Sequence, residues 1–84
     1  MDGEVRVRYF AGARAAAGVS EEAVPAAGRP LAALLALLAD RHGDRLAAVL
    51  AAASFLVDGV ACRDRDRTLP AGAVVDVLPP FAGG

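Results

Sequence analysis

A chain of 84 residues makes one small domain. It is large enough to fold on a well-filled core but too small to enclose a roomy active site as well, which weighs against a self-contained enzyme. The net charge of −1 excludes the electrostatic footprint of a nucleic-acid or anionic-membrane binder. The longest apolar run, residues 31–39, falls far short of the roughly 20 residues that span a bilayer. Hydrophobic residues are 56% of the chain but aromatics only 5%, so the expected core is modest and aliphatic. The start "MDGEVRVRYF" lacks the basic and apolar regions of a secretory signal, and the one cysteine, Cys62, has no internal disulfide partner. Both make the cytoplasm the expected location.

The first element is a half-buried strand at Val5 to Phe10. Val5, Val7 and Tyr9 point one way, and Arg6, Arg8 and Phe10 the other. "ARAAA" between Gly12 and Gly18 reads as a turn of helix or a loop. "EEAVP" at 21–25 reads as a second short strand, hairpin-paired with the first and stopped by Pro25. "RPLAALLALLADRHG" is a helix, because Leu31, Leu34, Leu35 and Leu38 recur at i, i+3, i+4 and i+7. Pro30 suits its first position and Gly43 its C-terminal cap; Arg41 and His42 complement the negative end of its dipole. "DRLAAVL" adds a short helical turn with Leu46, Val49 and Leu50 on one side.

Asp58-Gly59 is a favoured type I′ turn between apolar runs, predicting strands at 54–57 and 60–63. "LPAG" at 69–72 reads as a turn with proline second and glycine fourth. It leads into "AVVDVL", a last strand with Val75 and Val77 on one face and Val74, Asp76 and Leu78 on the other. Pro79 and Pro80 end that strand, having no backbone donors for a ladder. This order predicts an α+β domain of the ubiquitin-like, β-grasp kind, a mixed sheet with one main helix packed across one face. The domain is expected to span 1–80, with 81–84 as a mobile tail.

No zinc spacing, nucleotide loop or nucleophile motif is present, so no metal site is expected. Cys62 lacks a companion cysteine and reads as a small buried or edge residue. His42 reads as a helix-end cation rather than a base or ligand. "RDRDR" at 63–67 reads as a solvated loop or strand edge, its functional alternative being a steering contact for an acidic partner.

"VRYFAGARAAAG" at the start and "LPAGAVVDVLPPFAGG" at the end resemble the MoaD/ThiS family of sulfur carriers, most of all the branch that serves as small subunit of molybdopterin synthase. The resemblance runs nearly end to end, with its specific parts at the two termini. It implies that an activating enzyme adenylates the C-terminal carboxylate of Gly84 and that a sulfur donor then replaces AMP to give a thiocarboxylate. Phe81, Ala82, Gly83 and Gly84 would enter a partner's active site, where the sulfur helps to build the dithiolene of molybdopterin. Extended, those four residues reach about 13 to 14 Å, and the glycines let a bare backbone enter a narrow channel.

The resemblance also implies the partners. They are a large catalytic (MoaE-like) subunit, an E1-like (MoeB-like) adenylyltransferase and a sulfur donor protein, with two carriers and two large subunits in a heterotetramer. No permanently bound cofactor is implied, and ATP is used by the activating enzyme alone. Partner contacts fall at Phe10, Leu78, Pro79 and Pro80; by strand parity the first two share the outer face of the sheet. Other readings that the residues leave open are a carrier serving thiazole or another sulfur-containing product, a ubiquitin-like modifier joined to partner lysines, and an interaction domain with an inert terminus.

Overall fold

Valine alternation along β1 (Val5–Tyr9) sets the inner face of the sheet: Val5, Val7 and Tyr9 are buried while Arg6 and Arg8 are exposed. The computed structural model describes residues 3–80. After β1 come α1 (Ala11–Ala17), β2 (Glu21–Val24), α2 (Leu31–His42) and α3 (Asp44–Ala52). The chain then forms β3 (Ser54–Val57), β4 (Val60–Ala61) and β5 (Val74–Leu78). The strands make one sheet in the order β2-β1-β5-β3-β4. β1 runs parallel to β5 and the other neighbours are antiparallel. This is the mixed sheet of an α+β, ubiquitin-like β-grasp fold.

Helix α2 lies over the inner face. Leu31, Leu34 and Leu38 have no exposed surface and share one cluster with Val5, Val7, Phe55, Val57, Val75 and Val77. Removing each such side chain from water contributes roughly 1.5–3 kcal/mol, so the leucine stripe supplies much of what holds the domain. Two further helices complete the layer. The "ARAAA" segment is helical rather than a loop: Ala13 is fully buried, Ala16 and Ala17 pack on the core, and side chains this small let α1 approach α3 closely. α3 runs nine residues, longer than the single turn that its pattern suggests, with Leu46 and Leu50 buried beneath it.

Three local expectations change. Pro30 takes an extended conformation (φ −70°, ψ 157°) and caps the helix rather than opening it; its carbonyl accepts from Ala33 and Leu34. The amides of Leu31 and Ala32 donate to the carbonyls of Arg67 and Arg65 (2.9 and 2.8 Å). A distant backbone thereby satisfies donors that a helix start leaves open. In the 69–72 turn, the Ala73 N–H donates to Pro70 O (3.1 Å), so Pro70 is first and Gly72, at φ 80°, is third. A positive φ belongs at that third position, and buried Leu69 holds the frame one residue later than the dipeptide pattern implies. Finally, β4 stops at Ala61 instead of 63. The Asp58-Gly59 turn is as expected, with positive φ at both residues (50° and 82°).

Candidate functional site

The parallel pairing of β1 and β5 brings the two expected contact residues together. Arg8 lies opposite Asp76 and Tyr9 opposite Val77. One step further, the Phe10 N–H donates to Val77 O (3.3 Å), which sets Phe10 beside Leu78. Phe10 is 40% exposed and Leu78 half-buried, both on the face away from the helices. Pro79 is half-buried and Pro80 exposed where the chain leaves β5. Phe81, Ala82, Gly83 and Gly84 lie outside the described residues.

Charge organises the rest of this face. Arg8 donates from Nε and Nη2 to the two carboxylate oxygens of Asp76 (2.6 and 2.9 Å). This is the two-pronged geometry that a planar guanidinium makes with a carboxylate. The hydrogen bond and the charge of Asp76 raise the Arg8 pKa above its already high value. The same guanidinium stands 5.9 Å from the centre of the Phe10 ring, within reach of a cation–π contact. Asp76 is 5% exposed, so a carboxylate on the open face of the sheet is sheltered by the side chain that it holds. Next across the sheet comes half-buried Leu56, paired with Asp76. The result is an apolar strip of Phe10, Leu78 and Leu56 around a fixed ion pair.

A second charged cluster lies on the other face, where Glu22 of β2 pairs with Val7. Tyr9 Oη donates to Glu22 Oε2 (2.6 Å) and Arg41 Nη1 to Oε1 (2.8 Å). His42 Nε2 is 2.5 Å from Oε2; the ionised carboxylate only accepts, so the ring nitrogen is the donor. Burial disfavours the charge of Glu22, but the hydrogen bonds from Tyr9, Arg41 and His42 outweigh it and hold the carboxyl below its usual range. Burial and the hydrogen bond to Glu22 push the Tyr9 hydroxyl far upward, which keeps it a donor. His42 is therefore part of a polar clasp between β1, β2 and the end of α2. Sequence reasoning missed Glu22. Its parity with buried Val24 marks an acid on the helix side of the sheet, near Arg41 and His42, which close α2.

Cys62 is buried, and its Sγ donates to Asp64 O (3.4 Å). Among the described residues no cluster of three or more His, Cys, Asp or Glu side chains converges to hold a metal. No helix of the described residues is long and apolar enough to cross a membrane. What the geometry offers is a face suited to docking, next to the point where the C-terminal residues begin.

Solved structures of similar shape exist. A protein from Pyrococcus furiosus described as a "putative molybdopterin converting factor, subunit 1" is 30% identical, with a TM-score of 0.82 over 94% of this chain and 99% of that one. Small archaeal modifier protein 1 from Methanosarcina acetivorans is 25% identical, with a TM-score of 0.83 over 98% and 97%. The complex of subunits 1 and 2 of the molybdopterin-converting factor from Helicobacter pylori contains a chain 23% identical, with a TM-score of 0.71 over 96% and 99%. That last likeness establishes the fold alone. No curated protein matches the chain. The ThiS family model matches residues 7–84, from within β1 through the last glycine. The chain thus belongs to the ThiS family and carries the ubiquitin-like sulfur-carrier fold of its members.

Proposed function

We propose that this chain is the sulfur-carrier subunit of a molybdopterin synthase. The observation that carries the reading is the nearly full-length likeness to a converting factor subunit 1 at 30% identity. The apolar strip of Phe10 and Leu78 at the end of β5 supports it, because a carrier must dock where its terminus can enter a partner. In this reading residues 1–80 are the docking body and 81–84 the delivered tail.

A carboxylate is a poor electrophile. An activating enzyme therefore joins the Gly84 carboxylate to AMP from ATP, releasing pyrophosphate. Sulfide-level sulfur from a donor next attacks the acyl carbon and expels AMP, which leaves a thiocarboxylate, anionic at neutral pH and a good nucleophile. That sulfur bonds to the precursor of molybdopterin within a large catalytic subunit, water then cleaves the acyl–sulfur bond, and the carboxylate so released is recharged. The partners catalyse; this chain supplies the reacting atom and its placement. Two carriers with two large subunits form the assembly.

Incubation with a MoeB-like adenylyltransferase, ATP and a sulfurated donor, followed by mass spectrometry of the C-terminal peptide, tests the reading. The expected product has one oxygen of Gly84 replaced by sulfur, and deletion of Gly83 and Gly84 abolishes it. Failure to gain sulfur under these conditions sinks the carrier claim. The likeness to a small archaeal modifier protein favours a second reading, a protein modifier. Adducts of this chain on the lysines of other proteins in its native host, in place of sulfur transfer to the precursor, would support it.

A further inference from the structure

β4 is so short that the sheet opens at its far edge. The last rung between β3 and the returning chain is the bond from the Cys62 N–H to Phe55 O (2.9 Å). Beyond it the chain swings away into a turn closed by the Arg67 N–H on Asp64 O (3.2 Å), the same turn that delivers carbonyls to the start of α2. Between strand and turn lies a cleft of about 310 Å3. Ser54, Phe55 and Leu56 line one wall, and Cys62, Arg63 and Arg65 the other.

The alternating charges of residues 63–67 are sorted around this cleft. Asp64 turns its carboxylate back onto the N–H of Asp66 (2.9 Å), and neither aspartate lines the space. Both arginines do. Among the described residues neither Arg63 nor Arg65 makes an ion pair. Arg65 is already placed, its guanidinium 5.3 Å from the centre of the Phe55 ring, and that ring is buried. A cation stacked on an aromatic over an apolar floor is set to receive a carboxylate with little further ordering.

We propose that this cleft is a docking slot for an acidic segment of a protein partner. An aspartate or glutamate of the partner meets Arg63 and Arg65, and apolar neighbours lie against Leu56 and Ala61. The volume stands at the low end for ligand sites, roughly 300–1,000 Å3, which suits one or two side chains. Leu56, paired with Asp76 on the open face of the sheet, marks the border between the slot and the Phe10–Leu78 strip. Charge complementarity of this kind selects the partner and speeds encounter. The proposal goes beyond the sulfur-carrier reading, because a carrier and a modifier would use the slot alike.

Backbone amide shifts of the full-length protein, recorded by NMR during titration with a short capped peptide of alternating valine and glutamate, test it. Saturable shifts are expected at Ser54–Leu56 and at residues 61–65, with affinity falling as salt rises from low to physiological. The Arg63→Ala/Arg65→Ala variant should keep its dispersed spectrum and bind about tenfold more weakly. Three results would overturn the proposal: no saturable shift at millimolar peptide, equal shifts with a valine–lysine peptide, or the full set of shifts reproduced by inorganic phosphate, which would mark a small-anion site. None of these readouts involves Gly84, so the slot and the sulfur chemistry can fail separately.

Discussion

The two faces of the sheet each shelter one carboxylate, and they do so differently. On the helix side, Glu22 takes donors from three side chains on two other elements, β1 and α2. On the open side, Asp76 takes both of its donors from Arg8, a close neighbour on the adjoining strand. The first arrangement ties layers together. The second ties one strand to the next and leaves the guanidinium half in water. The inner face thus holds the fold, while the outer face holds a presentation: a fixed arginine, Phe10 and Leu78.

That contrast is open to direct attack. The largest effect is expected from Leu34→Ala, which empties a site with no exposed surface and should cost about 2–5 kcal/mol in denaturant unfolding. Glu22→Gln comes next, at about 1–3 kcal/mol, because it weakens the hydrogen bonds from Tyr9, Arg41 and His42 in a sheltered place. Its signature is pH dependence. The folded carboxyl titrates below its unfolded range, so its contribution is complete above the unfolded pKa and is lost as pH falls through the folded one. Unfolding curves of Glu22→Gln should therefore lose part of the acid sensitivity that the parent shows, and an unchanged acid limb would contradict the clasp.

Asp76→Asn should destabilise less than Glu22→Gln under the same conditions, since the released Arg8 side chain passes to solvent. A double-mutant cycle with Arg8→Ala measures the coupling. The smallest change in stability is expected for Phe10→Ser, within about 0.5 kcal/mol for a residue so exposed. In the same variant, binding to the large subunit of the proposed synthase should fall sharply, as it does when an aromatic anchor leaves an interface. A Phe10→Ser protein that unfolds early would place Phe10 in the core and dissolve the distinction between the faces.

Much of the fold was legible before any coordinates. The leucine stripe of α2, the valine alternation of β1 and β5 and the Asp58-Gly59 turn each announce themselves within a few residues, because helix and strand periods and turn dihedrals are local properties. The outer-face placement of Phe10 and Leu78 followed from the same parity. Other features were not legible. Nothing near Pro30 reveals that carbonyls of Arg65 and Arg67 cap the helix, and nothing near His42 reveals Glu22, twenty positions earlier in the chain. The turn at Pro70–Ala73 was misplaced by one residue because dipeptide preference does not see the burial of Leu69.

Local pattern alone settled that α2, β1 and β5 are regular elements, which face of each is apolar, and that the last residues resemble a sulfur carrier's. Tertiary structure decided what meets across distance. It set the parallel pairing that seats Phe10 beside Leu78, the convergence of three donors on Glu22, and the early end of β4 that opens the arginine-lined cleft. The physical reason is that periodicity is read from neighbours along the chain. Register, long-range capping and the gaps left where strands stop emerge only when the whole core is packed at once.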